Sequence, residues 1–293
     1  MTRSGIVTVA GKPNAGKSTL LNRIVGQKLS ITSAKPQSTR DRIVGIHTAA
    51  DVQFVVLDTP GLLEPRYELQ RTMRAVALRA LADADVIVYL VDPQTGDPPP
   101  LHIAAGLNAE PAAPVILTVN KIDTLDANER ARLLARWLDA SLISAATGEG
   151  VDALLARVGS LLPPSPYLYP DDELSTLSLR FFAAELVRET ALEQLDDEVP
   201  YSVACEIEEF RETQSPVYIR AVLHVERESQ KGILVGAKGS RIREIGRAAR
   251  SKIEALVGGP VYLELRVKVL ANWRRDPNAL RRLGYKHPED RAS

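Results

Sequence analysis

The stretch Gly11-Lys12-Pro13-Asn14-Ala15-Gly16-Lys17-Ser18 restricts this chain more than any other part of it. It follows the apolar, β-branched run Ile6-Val7-Thr8-Val9-Ala10 and leads into Thr19-Leu20-Leu21-Asn22-Arg23-Ile24-Val25, which has helix character. Strand, glycine-rich turn and helix therefore come in the order that a phosphate-binding loop requires. The glycines let the backbone curl so that successive N–H groups face phosphate oxygens, and the helix N-terminus adds its partial positive charge. Lys17 is placed to reach β- and γ-phosphates, and the Ser18 hydroxyl to ligate Mg²⁺. A chance glycine turn would not match five positions in this context.

The next residues extend the pattern. The polar stretch Ser30 to Arg42 reads as a first switch, in which one threonine senses Mg²⁺ and the γ-phosphate; position favours Thr39 over Thr32 and Ser38. Two β-rich runs, Ile43 to Thr48 and Val52 to Leu57, flank the polar turn Ala49-Ala50-Asp51 and predict a hairpin of neighbouring strands. The second run ends in Asp58-Thr59-Pro60-Gly61. An aspartate at a strand end opposite such a loop holds Mg²⁺ through water, and the Gly61 N–H bonds the γ-phosphate. Arg66 to Ala82 reads as a helix, with Leu69, Met73, Val76, Ala77 and Leu81 at three- and four-residue spacing. Val86 to Val91 and Val115 to Val119 are short continuous apolar runs, as in parallel strands covered on both faces, and a helix follows Pro98-Pro99-Pro100. The alternation predicts an α/β domain with a doubly wound sheet and ligands at the strand C-termini.

The base is chosen at Asn120-Lys121-Ile122-Asp123. A carboxylate accepting two N–H bonds suits N1 and N2 of guanine, whereas adenine offers no such donor pair. Asp123 is therefore expected to select guanine, with Asn120 bracing the site and Lys121 packing along the base plane. After a helix from about Ala127 to Asp139, backbone N–H groups of Ser144-Ala145-Ala146 are expected to meet guanine O6, and Val151 to Leu162 closes the domain as a helix. To this point the chain resembles the translation-factor-like branch of the GTP-binding proteins, with GTP or GDP and Mg²⁺ as its ligands. Leu62, the last nucleotide-binding position expected after Gly61, stands where Ras-like proteins carry a water-orienting glutamine. Leucine cannot orient an attacking water by hydrogen bonding, so slow hydrolysis by the protein alone is expected. A backbone group, another residue, an ion or a partner must supply what is missing.

Four prolines in Leu161-Leu162-Pro163-Pro164-Ser165-Pro166-Tyr167-Leu168-Tyr169-Pro170 break any helix and stiffen the chain. With 293 residues the chain is long enough for two domains, and the expected division is 1–162, a linker 163–176, and 177–293. Beyond the linker, Leu179 to Leu195 reads as a helix, Tyr201 to Phe210 and Pro216 to Glu226 as strands, and Ile242 to Val257 as a helix. The strict alternation of Val261 to Val269 makes a half-exposed strand. Between second strand and long helix lies Gly236-Ala237-Lys238-Gly239, flanked by Ile233, Leu234 and Ile242, which suit two short packed helices. A Gly-x-x-Gly loop with a lysine inside brings N–H groups and positive charge close to a nucleic-acid backbone, as KH domains do, and the element order is that of an α+β type II KH domain. Lys231, Ile233, Gly236, Ala237, Lys238, Gly239, Arg241 and Arg243 are the expected RNA-contacting positions.

Net charge supports this only locally. The whole chain sums to zero, but Arg227 to Arg275 holds twelve Lys or Arg against four Asp or Glu, and Glu193 to Glu212 is acidic. Arg241, Arg243, Arg247 and Arg250 are spaced so that most share one helix face near the loop. The single cysteine, Cys205, excludes an internal disulfide and suits a reducing cytoplasm, and no apolar run approaches the roughly 20 residues that span a bilayer.

Over nearly its full length the chain resembles the Era family of bacterial GTPases. The resemblance rests on Gly11 to Ser18, Pro36 to Arg42, Asp58 to Gly61, Asn120 to Asp123, Pro200 to Val203, Val225 to Lys231, Leu265 to Val269 and Leu280 to Tyr285. It implies GTP binding and hydrolysis, recognition of the 3′ end of small-subunit (16S) ribosomal RNA through the KH domain, and a part in 30S subunit maturation. It further implies loose peripheral association with the inner membrane, a property carried by the resemblance alone. A monomer is expected. Lys17, Thr39, Asp58 and Gly61 are the positions expected to serve hydrolysis, with Ser18, Thr39 and Asp58 around the metal. Two other readings use the same residues: an RNA-binding module with a structural nucleotide, and a switch whose C-terminal domain binds a protein.

Overall fold

The computed structural model describes residues 1–33, 35–196 and 199–287; the last six positions of the expected C-terminal domain, 288–293, lie outside the described residues. The described chain forms two compact units, one of Met1–Pro65 with Gln70–Thr176, the other of Arg66–Leu69 with 177–286.

In the first unit, β1 (Arg3–Ala10) runs into α1 (Lys17–Val25), and β2 (Ile43–Ala49) turns back into β3 (Val52–Asp58). Then come α2 (Glu68–Ala82), counted in this unit from Gln70 on, β4 (Val86–Val91), α3 (Leu101–Ala105), β5 (Val115–Val119), α4 (Ala127–Arg136), β6 (Ser141–Leu142) and α5 (Val151–Leu161). The sheet order is β2-β3-β1-β4-β5-β6, with β2 antiparallel to β3 and every other pairing parallel. All six residues of β4 are buried, which is why this run is apolar without alternation. Val9, next to the end of β1, lies in register with Asp58 of β3 on one side and Val88 of β4 on the other. The turns leaving β1, β3 and β5 therefore open along one edge of the sheet. The helix expected to run to Asp139 stops at Arg136, because Trp137 leaves the helical region at φ −126°, ψ 76°.

The proline-rich stretch 163–176 contains no helix and is strapped to this unit. The Ile46 N–H donates to the Leu174 carbonyl at 2.8 Å, and the Gln53 side chain accepts from the Leu168 and Tyr169 N–H groups at 2.8 and 3.0 Å.

The second unit comprises α6 (Leu179–Gln194), α7 (Val199–Ser202), β7 (Ala204–Arg211), β8 (Val217–Val225), α8 (Glu228–Val235), α9 (Ser240–Val257), β9 (Val261–Val269) and α10 (Pro277–Arg282). Its sheet, β7-β8-β9, pairs β7 antiparallel and β9 parallel to the central strand. Val187, Leu234 and Ile245 from the helices share a buried core with Ile219, Ala221 and Leu223 of β8. The first strand begins at Ala204 rather than at Tyr201. Ser202 closes a helical turn by donating to the Val199 carbonyl at 2.7 Å, and its own carbonyl accepts from the indole of Trp273 at 2.9 Å. That indole is completely buried and anchors the arginine-rich segment after β9.

Candidate functional site

The first site grows from the β1–α1 turn. Gly16, which precedes α1, has φ +97°, and a Cβ there would lie 2.1 Å from Asn120 Nδ2, so only glycine fits. Lys17 is 6% exposed, and its ammonium donates to the Lys12 carbonyl at 2.9 Å across the loop. Burial pushes the Lys17 pKa down and that of Asp58 up, and each charge opposes the other's shift.

Asp58 is completely buried. One carboxylate oxygen accepts from Ser18 Oγ at 2.6 Å, Ser30 Oγ at 2.6 Å and Thr39 Oγ1 at 3.3 Å, while Ser18 and Thr39 hydroxyls lie 3.0 Å apart. The other oxygen, Oδ1, is buried without a hydrogen-bond partner among the described residues. The Ser18 and Thr39 hydroxyls and the single Asp58 carboxylate, one of whose oxygens is unpartnered among the described residues, form the all-oxygen set that a hard cation such as Mg²⁺ takes, so these residues fit that metal. A cleft of about 480 Å³ runs past them, lined among others by Pro13, Lys17, Thr39, Gly61 and Lys121.

Around the rest of this edge the expected positions divide. The Thr59 hydroxyl donates to the Val9 carbonyl at 2.9 Å and so ties the β3 turn to β1. Leu62, expected to face the nucleotide, is instead buried in the core with Ile87, Tyr89 and Val119, and its N–H donates to the Gly11 carbonyl at 3.0 Å. Its apolar side chain is stabilised by burial there. Asn120 donates to the Ala15 carbonyl and accepts from the Ala145 N–H, both at 2.8 Å, and thus bridges phosphate loop and base loop. Lys121, at φ +64°, reaches Asp92 at 2.6 Å. Asp123 is exposed, and Ile122 is buried beside it with its N–H on the Ile143 carbonyl at 3.2 Å. Of the Ser144-Ala145-Ala146 amides expected at guanine O6, two are engaged within the protein, Ser144 with the Glu149 carbonyl and Ala145 with Asn120. Ser30, Arg23 and Asp92 were not expected; none belongs to a recurring motif, and only the folded chain brings them here.

Asn120→Ala removes both halves of the bridge and leaves a buried N–H without an acceptor. The expected cost is about 2–4 kcal/mol of stability and at least about tenfold in GDP affinity. Displacement of a fluorescent nucleotide reads the second; unchanged affinity would show that the bridge does not shape the site.

In the second unit, Gly236, Ala237, Lys238 and Gly239 do form a loop between α8 and α9, with Lys238 exposed at φ +49°. Arg243, itself exposed, donates to the Lys238 carbonyl at 2.5 Å and to the Gly239 carbonyl at 3.0 Å, so it is tied to the backbone of the loop. Arg241 donates to the Gln194 carbonyl at 2.5 Å, and Lys231 lies 3.8 Å from Glu228. Of the apolar flanks, Leu234 is fully buried, whereas Ile233 is 50% exposed at the surface of α8.

A phosphate loop, an aspartate over a Mg²⁺-suited oxygen set and a guanine-type base loop at one sheet edge define a P-loop GTP-binding domain; the second unit has the element order and loop of a KH domain. A family model described as 50S ribosome-binding GTPase matches residues 6–121, and a KH domain model matches 198–274. The chain is 43% identical to GTPase Era of Geobacter metallireducens over 97% of this chain and 98% of that one, and 41% identical to GTPase Era of Carboxydothermus hydrogenoformans at the same coverage. The chain belongs to the Era GTPase family, and is a GTP hydrolase with GTP, GDP and Mg²⁺ as its ligands. Two solved structures superpose with a TM-score of 0.90 over 97% of this chain and 99% of theirs. One, 38% identical, is a variant of Aquifex aeolicus Era bound to GDP·AlF4⁻; the other, 37% identical, is Era with MgGDPNP and nucleotides 1506–1542 of 16S ribosomal RNA.

Proposed function

We propose that this chain is a GTP-driven switch that binds the 3′ end of small-subunit ribosomal RNA through its KH unit and acts in maturation of the 30S subunit. Residues 1–162 are assigned to the nucleotide, 163–176 to the connection and 177–293 to RNA. The observation that carries this reading is the Gly236–Gly239 loop with Lys238 exposed on it, in a chain that matches an RNA-bound Era structure along 97% of its length.

Lys17 neutralises the β- and γ-phosphates, and the Gly61 N–H meets the γ-phosphate. Ser18, Thr39 and Asp58 would hold the metal, and Ser30 keeps the Asp58 carboxylate aimed by donating to it. A Mg²⁺ ion held by these residues would supply screening of the negative charge on the phosphate oxygens. The Asp123 carboxylate pairs with guanine. Water is the nucleophile, and the inward-turned Leu62 leaves it without an orienting side chain at that position, so turnover by the protein alone is slow. GTP orders the Thr39 and Gly61 loops and thereby changes RNA affinity. The chain works in the cytoplasm, where ribosomal subunits mature; no helix among the described residues is long and apolar enough to cross a membrane, and peripheral inner-membrane association rests on the family resemblance.

Binding of a single-stranded oligonucleotide with the 16S 3′-end sequence, measured with a GTP analogue and with GDP, tests this. Wild type is expected to bind with nucleotide-dependent affinity, and Lys238→Glu to lose binding. Equal affinity with both nucleotides would refute the coupling; no binding in either state would refute the RNA assignment and leave a protein partner for the second unit.

A further inference from the structure

The Ala146 N–H is the one amide of Ser144-Ala145-Ala146 that makes no hydrogen bond among the described residues. The carbonyl of the same peptide unit, that of Ala145, accepts from Arg23 Nε at 3.3 Å, and the following carbonyl, that of Ala146, accepts from Arg23 Nη2. A trans peptide points its C=O and N–H in opposite directions. A guanidinium that holds these carbonyls therefore turns the Ala146 N–H the other way, and its charge polarises the peptide so that this N–H becomes a stronger donor. Arg23 projects from α1, the helix whose N-terminus carries the phosphate loop, so one side chain sets the base loop against the element that grips phosphate.

We propose that Arg23 is a positioning residue for guanine recognition: it clamps the Ala145–Ala146 peptide so that the Ala146 N–H faces O6, and it thereby sets selectivity at position 6 of the base. Asp123 reads N1 and N2 and acts separately. The inference rests on the reading that guanine lies against this loop.

Affinities of wild type, Arg23→Met and Arg23→Lys for GDP, 6-thioguanosine diphosphate and inosine diphosphate test it. The thio analogue keeps both donors that Asp123 reads and replaces O6 by a poorly accepting sulfur; the inosine nucleotide keeps O6 and lacks the 2-amino group. Arg23→Met keeps the aliphatic stem of an exposed side chain and removes its donors. It is expected to weaken GDP about five- to tenfold, in line with one neutral hydrogen bond, and to weaken the thio analogue less. The preference for oxygen over sulfur then narrows while the GDP-to-inosine ratio keeps its wild-type value, and Arg23→Lys restores part of the preference. Equal weakening of all three nucleotides, or no weakening of GDP, overturns the inference. Asp123→Asn separates this from failure of the underlying reading. If that variant does not exchange GDP for xanthosine diphosphate, the guanine reading falls and this inference with it. If it does, and the oxygen-to-sulfur ratio of the Arg23 variants matches wild type, only the role of Arg23 falls.

Discussion

Lys17→Ala is expected to lower single-turnover GTP hydrolysis at least about a hundredfold, the scale seen when one preorganised charge is removed from a phosphoryl-transfer site. The ammonium is already oriented, because it donates to the Lys12 carbonyl at 2.9 Å. No reorganisation is needed when negative charge develops on the phosphate. A second effect adds to the first. Burial raises the pKa of Asp58, and the Lys17 charge is the largest influence holding it down, ahead of the hydroxyls of Ser18, Ser30 and Thr39. Without Lys17 the carboxyl protonates more readily, and a protonated acid is a poorer partner for the metal's water shell. The variant should therefore need more Mg²⁺ for the same residual rate, and should regain part of that rate as pH rises. A rate, Mg²⁺ dependence and pH profile matching wild type would remove Lys17 from the machinery. GDP affinity should fall less than the rate does, because the charge counts most where phosphate charge builds up in the transition state.

Gly236→Ala is expected to abolish RNA binding, whereas Gly239→Ala should leave it nearly unchanged. Gly236 has φ +72° and ψ 175°, a combination open essentially to glycine alone, and a Cβ there would lie 2.7 Å from Arg241 Cβ and 2.9 Å from the Arg241 backbone nitrogen. The backbone strain costs about 1–3 kcal/mol, and overpacking against α9 adds about 1–3 kcal/mol. Neither contact is with the far end of a flexible side chain, so the loop must move as a whole. Gly239, at φ +76° and ψ 22°, is in the left-handed helical region, and a Cβ would meet nothing nearer than 3.9 Å. Its replacement costs about 1–2 kcal/mol from conformation alone. Oligonucleotide binding and urea unfolding of both variants distinguish the two positions. Equal tolerance would mean that the backbone path through Gly236 does not matter to the loop.

Much of this was legible because the signals are local. The phosphate loop is eight consecutive residues between a strand and a helix, and Val86–Val91 and Val115–Val119 needed only a short apolar run to be placed to the residue. The alternation of Val261–Val269 likewise reports one core-facing side, on which Val261 is buried and Leu263, Leu265, Val267 and Val269 are half-buried. Misplaced boundaries had non-local causes. The strand expected from Tyr201 starts late because the Ser202 carbonyl is taken by Trp273, 71 residues away. Leu62 reads as a nucleotide neighbour by position, but its apolar side chain gains more from the core than from a polar cleft.

Sequence alone therefore determined the class of both units and the lack of a hydrogen-bonding side chain at position 62, and it singled out Asp123 as the expected partner of guanine, since each follows from residue type and spacing along the chain. Tertiary structure alone decided which partners these groups meet: Ser30 with Asp58, Asn120 across 105 residues with Ala15, Arg23 across 122 residues with Ala145, and Arg243 with the Lys238 carbonyl. A hydrogen bond leaves no mark on its partner's sequence. Any donor of the right length satisfies it once the fold has brought the two together.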